Sequence, residues 1–135
     1  MGGETLDAYK KAEMRYKKQI INKMKQVGTY NTSFMYTINT LAKVLADYEK
    51  TTNLYERTGG QIIVKHTNKS GATNIVKNPL YQAIEKQRDD IIAYSRELGL
   101  TPAGLKRIQD KDNTSKKESR LEMMLHELTI QNPEL

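Results

Sequence analysis

The chain has 135 residues, 37% of them apolar, with a formal net charge of +6; that length holds one domain with a modest core and room for one appended element. The lack of cysteine excludes a disulfide scaffold and cysteine-ligated zinc, and no apolar run approaches the about 20 residues of a membrane span. No signal peptide opens the chain, and Leu6 stands where a myristoylation pattern would need Ser or Thr, so a soluble intracellular protein is expected.

From about Thr5 to Val27 the apolar residues Leu6, Tyr9, Tyr16, Ile20, Met24 and Val27 recur at helical steps, interrupted by Glu13 and ended by Gly28. At about 100° per residue, Lys11, Arg15, Lys18, Asn22 and Lys25 fall on the opposite face. That face reads either as a solvated helix surface or as one turned to a polyanion. A second helix is expected from Asn31–Ser33 to Arg57, with Phe34, Ile38, Leu41, Leu45, Tyr48 and Tyr55 along one stripe and Gly59-Gly60 as its break. Two such helices joined by a short turn make an antiparallel hairpin. Met35, Ala42 and Val44 widen the stripe, so a further surface must cover it: another subunit, or a third helix for which residues 78–98 are the candidate.

Between Gly59 and Asn78, the β-prone runs Gln61–Val64 and Asn74–Val76 flank a polar centre, Thr67–Gly71, and point to a β-hairpin or extended arm. Such a ribbon is marginal alone and must lean on something. Lys65, Lys69 and Lys77 could grip phosphates or keep an exposed edge soluble, and the solitary His66 reads as a surface residue. Asn78 followed by Pro79 is a cap-plus-proline helix start. Leu80, Ile84, Ile91 and Leu98 share a face, and Gly99 supplies the terminating residue. Thr101-Pro102 repeats the start for a shorter helix to Ile108.

The next stretch, QDKDNTSKKES, reads as a charged linker. Ser115 with Glu118 forms a capping-box pattern ahead of Leu121, Met124, Leu125 and Leu128. These four make an amphipathic helix that either docks on its own domain or binds a partner. Gln131–Leu135 is expected to fray. The domain reading is thus 1–108 as one helical unit with the arm at 60–77, then 109–135 as linker plus terminal helix.

Charge is unevenly placed along these segments. Residues 1–30 carry seven basic and three acidic side chains, and residues 61–77 carry three lysines and no acid. Residues 31–60 and 101–135 balance, while 78–100 are net −1. Two concentrated basic segments favour a polyanionic partner over a uniformly basic surface.

Catalytic patterns are absent from the sequence. No Gly-x-x-x-x-Gly-Lys phosphate loop, no Gly-x-Ser-x-Gly, no nucleophilic cysteine and no histidine pair occurs. Glu85, Asp89 and Asp90 lie beside Lys86 and Arg88 and read as a solvated helix face. No enzyme, no metal and no cofactor is expected.

The Asn78-Pro79 opening and the closing string Glu97-Leu98-Gly99-Leu100-Thr101-Pro102, with Arg107 behind it, resemble the small-subunit family of tailed-phage terminases. The likeness covers roughly residues 5–108, through a first helix ending at Gly28 and a second carrying Leu41, Tyr48 and Glu49. It implies a mainly α fold, namely a long antiparallel helical hairpin plus further helices and a short β-hairpin or arm, assembled as a ring. It also implies a non-catalytic role. Such proteins bind double-stranded viral DNA at the packaging start and present it to a large subunit with ATPase and nuclease activity, in the cytoplasm of the bacterial host. Members commonly have an acidic residue early in the second helix, where this chain has Asn31-Thr32-Ser33. No short motif carries a DNA contact over by name.

The basic segments therefore supply the candidates: Lys11, Arg15, Lys18 and Lys25 from the first helix, Lys65, Lys69 and Lys77 from the arm. Leu121, Met124, Leu125 and Leu128 are the candidate partner surface. The competing expectation is a helical DNA-binding transcriptional regulator or protein-interaction module. A regulator would need a recognition helix, and Thr101–Ile108 reads as too short and too apolar.

Overall fold

The computed structural model describes residues 2–131, with side chains from Leu6 onward. The elements are α1 (Gly2–Val27), a 3-10 turn (Thr32–Phe34), α2 (Met35–Arg57), β1 (Ile63–Thr67), β2 (Thr73–Lys77), α3 (Pro79–Glu97) and α4 (Pro102–Gln131). The fold is thus mainly α with one two-stranded antiparallel sheet. Of the C-terminal fraying expectation, residues 132–135 lie outside the described residues.

Local chemistry accounts for each junction. Gly28 adopts φ +80°, which turns the chain so that the Thr29 N–H donates to Met24 O at 2.9 Å and closes α1. The Asn31 side chain then accepts from the Ser33 N–H at 2.9 Å, so the second helix opens as a 3-10 turn before becoming α-helical. Asn78 caps α3 by accepting from the Leu80 N–H at 3.0 Å, with Pro79 at the first helical position. Thr101 Oγ1 accepts from the Gly104 N–H at 3.1 Å and opens α4.

α2 is central and packs against both α1 and α3. Ile20 and Met24 of α1, Ile38, Leu41 and Ala42 of α2, and Leu98 beyond α3 form one buried cluster. Ala12 and Ala46 continue the contact toward the other end of α1, as an antiparallel pair requires. The widened stripe of α2 is therefore covered, at least in part, by α3 of the same chain. Leu6 and Val27, at the two ends of the α1 stripe, stay exposed. Thr29 ties the two ends of the bundle's turns together: its buried hydroxyl donates to Leu98 O at 2.9 Å.

The first strand lies later than expected and the second extends the expected run by one residue at each end, with Ile63 paired to Lys77 and Thr67 to Thr73. Asn68 organises the turn, its Oδ1 accepting from the N–H groups of Ser70 and Ala72. Val64 and Val76, directly opposite each other, are half-buried, while the remaining ladder residues are exposed. Asn78 anchors the base of this arm. Its N–H donates to Ile62 O at 2.7 Å, and its Nδ2 donates to Gln61 O at 2.8 Å.

The C-terminal third corrects the sequence reading. The segment from Gln109 to Ser119, expected as a linker, is helical, and Thr101–Ile108 is not a separate short helix. Both belong to one helix of 30 residues, Pro102–Gln131. Ser115 consequently sits inside it and caps nothing, because a capping box needs a non-helical residue at its head. Length therefore no longer counts against a groove-reading helix at this position.

Candidate nucleic-acid interface

The seven candidate basic residues occupy two elements. On α1, Lys11 and Lys25 are separated by about 21 Å along the axis at about 1.5 Å per residue. All four α1 candidates are exposed. Helical spacing aligns them opposite Ile20 and Met24, which are buried against α2. On the arm, strand alternation puts Lys65 and Lys77 on the same face, opposite Ile75 and Ile63 respectively, while Lys69 lies in the turn. The arm leaves from the end of α2, whereas Lys25 stands at the α1–α2 turn, at the other end of the hairpin. The seven thus form two patches, not one cluster.

Their electrostatic states differ. Arg15 is clasped by Glu49 of α2, with Nη2 at 3.0 and 2.9 Å from the two carboxylate oxygens, and its guanidinium lies 5.0 Å from the Tyr16 ring. Tyr16 and the Glu49 carboxylate push its pKa further above its ordinary value. Lys77 pairs with Glu85 and lies 5.4 Å from the Tyr81 ring. Lys25 sits over the Tyr30 ring at 5.1 Å. Among the described residues, Lys11, Lys18, Lys65 and Lys69 form no ion pair. These four can each meet a phosphate without first giving up a carboxylate.

Sequence reasoning overlooked a third basic element. Lys43, Lys50 and Arg57 follow one another at seven-residue intervals along an exposed line of α2. Lys50 lies 6.0 Å from the Tyr9 ring of α1. With Arg15 and Arg57, it borders a cavity of about 360 Å³ whose lining includes Ala8, Ala12 and Ala46. The balanced charge of residues 31–60 concealed this line; the heptad spacing of its cations was the available signal. Asp47 is interposed in it, and partial burial, then Asp47 and Glu13, push the Tyr9 phenol up to about 12.

The chemistry available is cationic and hydrogen-bonding. No group of three or more His, Cys, Asp or Glu residues able to hold a metal occurs among the described residues. Glu85 and Asp90 are engaged by Lys77 and Lys86. His66 is exposed, as expected. No described helix is long and apolar enough to cross a membrane.

The candidate partner residues Leu121, Met124, Leu125 and Leu128 are each more than half exposed, together with Met123 and Ile130. Comparison with known proteins gives one family match: the model of "Phage terminase, small subunit" matches residues 12–115. No curated protein and no solved structure matches the chain.

Proposed function

This chain belongs to the phage terminase small-subunit family, and from that membership we propose that it is the DNA-recognition component of a viral genome-packaging motor. The family works with DNA and a large terminase subunit, and its small subunits are generally the non-catalytic component. In the proposed role the chain assembles as a homo-oligomeric ring in the bacterial host cytoplasm. It binds double-stranded viral DNA through phosphate contacts and regulates the large subunit, which supplies ATPase and nuclease activity. It needs no cofactor. Residues up to 108 carry the DNA-binding surfaces.

The observation that carries the proposal is the family match over 12–115. Two basic patches support it. Lys11 and Lys18 of α1 and Lys65 and Lys69 of the arm supply the principal contacts. Lys25, stacked on Tyr30, adds a further one, and Arg15 and Lys77 contribute once their carboxylate partners are displaced. The exposed stripe Leu121, Met124, Leu125 and Leu128 is the protein-docking surface.

The test is binding of the full chain to double-stranded DNA across a salt series. Each phosphate neutralised releases counterions, so affinity should fall linearly on a log–log plot. Reversal of Lys11, Arg15 and Lys18 to Glu should weaken binding, as should reversal of Lys65, Lys69 and Lys77. An isotherm indifferent to salt between 50 and about 200 mM, or unchanged by both triple reversals, would remove the DNA role from these surfaces.

A further inference from the structure

Among the described residues, two apolar surfaces lack a partner within the chain. The first is a groove of about 720 Å³ bounded by α1, α2, the end of α3 and the first turns of α4. Ile20, Leu45, Ile91, Leu100 and Leu105 line it, and Lys23 is the one charged residue on its wall. The second is the tip of α4, where Leu121, Met124, Leu125 and Leu128 fall on one helical face.

The tip does not reach the groove of its own chain. α4 runs unbroken from Pro102, which itself lines the groove, and Leu121 lies about 28 Å further along the axis at about 1.5 Å per residue. Every residue from Gln109 to Gln131 is exposed. A helix of this composition is not self-sufficient: Asn113, Thr114, Ser115 and Ser119 are indifferent helix formers, and most helical stability in proteins comes from packing of an amphipathic face. Packing against another surface must supply the stability that propensity does not.

Charge and area identify that surface. The tip segment carries Glu118, Glu122 and Glu127 against Arg120, whereas α1 from Met14 to Val27 has no acidic residue. An acid-flanked apolar stripe thus matches an apolar groove whose wall is cationic. The four apolar side chains that share this face, each more than half exposed, present an area on the order of several hundred Å². That compares with the largest patches of ordinary monomers, about 300–600 Å².

We propose that the tip of α4 docks in this groove on a second copy of the chain, head to tail. The inference rests on the ring assembly proposed above and gives that ring its contact. Each copy offers one tip and one groove, and such a heterologous contact builds a closed ring when its rotation closes.

Because the chain has no cysteine, cross-linking provides a clean test on the full-length protein. One copy carries Ser95→Cys in the groove; another, distinguishable by a tag, carries Leu125→Cys on the tip. A short bis-maleimide should join the two kinds in a mixture and should not join either kind to itself. Tip-to-tip dimers of Leu125→Cys alone, closure within a chain carrying both changes, or no product in the mixture each overturns the docking.

Particle mass separates this inference from the ring reading. Leu125→Glu alters an exposed side chain, should keep its helical signal, and should reduce the assembly to single chains. A wild-type ring whose mass survives that change removes the docking and keeps the ring. A ring of unchanged mass that no longer captures the large subunit reassigns the tip to that partner. A monomeric wild-type chain removes both.

Discussion

Gly104 fixes the direction in which α4 leaves the bundle, and Gly104→Ala tests that role. In an exposed helix this change would stabilise by about 1 kcal/mol, because Gly is the poorer helix former. Here the added Cβ would lie 2.1 Å from the carbonyl oxygen of Arg96 and 2.9 Å from its carbonyl carbon. Ordinary contact would demand a displacement on the order of 1 Å, and the obstacle is backbone, not the end of a flexible side chain. That backbone is also anchored, since Leu98 is 1% exposed and its carbonyl receives the Thr29 hydroxyl. Overpacking costs about 1–3 kcal/mol, occasionally more; at the upper end, less the helix gain, a net loss of about 2 kcal/mol follows. For a chain of this length that lowers Tm by about 8 °C. Thermal and urea unfolding followed by circular dichroism would measure it, with particle mass as a second readout because the trajectory of α4 should change. Ser119→Ala, on the exposed part of the same helix, is the control and should be neutral or slightly stabilising. A Gly104→Ala protein as stable as wild type, with unchanged assembly, would refute the close α3–α4 packing.

Replacing Lys11, Lys18, Lys65 and Lys69 by Ala should reduce the salt slope of DNA binding by about 0.9 for each phosphate no longer neutralised, whereas Arg15→Ala should change it less, since Glu49 already engages that guanidinium; equal effects in anisotropy titrations would contradict this division. Asn78→Ala should cost about 2–3 kcal/mol by removing a helix cap and the bond to Gln61 O together. Asn78→Asp keeps the cap acceptor and loses only the donor, so hydrogen exchange in the arm should accelerate in both variants while global stability falls further in Ala. The buried hydroxyl of Thr52 has no hydrogen-bond partner among the described residues, so Thr52→Val should be neutral or stabilising by up to about 1 kcal/mol; a destabilisation of more than about 1 kcal/mol in urea denaturation would show the hydroxyl is satisfied. The raised pKa of Tyr9 means the folded chain holds the phenol proton more tightly. Its contribution is full below about pH 10, its unfolded value, and is lost as pH rises through about 12; Tyr9→Phe should make the alkaline loss of stability shallower.

Much of the bundle is legible in the sequence because local signals agree with tertiary ones. Gly28, Asn31, Asn78-Pro79 and Gly99 mark junctions with chemistry that acts within a few residues, and Ile38, Leu41, Ile84 and Leu98 are buried as their periodicity required. The long α4 is hidden because Gln109–Ser119 lacks apolar residues, and polarity alone does not distinguish a solvated helix from irregular chain. The contrary signal is the absence of any Gly or Pro between Leu105 and Gln131, which leaves nothing to stop a helix once Thr101 and Pro102 have started it. The candidate interface is only partly readable. Sequence spacing aligns Lys11, Lys18 and Lys25, but the Arg15–Glu49 clasp depends on how α1 meets α2, and the Lys43–Lys50–Arg57 line is cancelled in the segment's charge by Asp47, Glu49 and Glu56.

The division of the candidate cations between two patches bears on how such a chain would hold DNA. The principal candidates Lys11, Lys18, Lys65 and Lys69 are divided between α1 and an arm that leaves the far end of the hairpin, so each patch of a single copy offers few phosphate contacts. Linking copies converts later contacts into intramolecular ones and can raise overall affinity by about 10²–10⁴ without any new residue. Assembly and DNA binding should therefore be thermodynamically linked: DNA, binding the assembled form better, stabilises it, and assembly strengthens DNA binding by the same factor. Loosening the proposed contact of the α4 tip, which contributes no lysine to either basic patch, should then weaken DNA binding as effectively as removing a lysine.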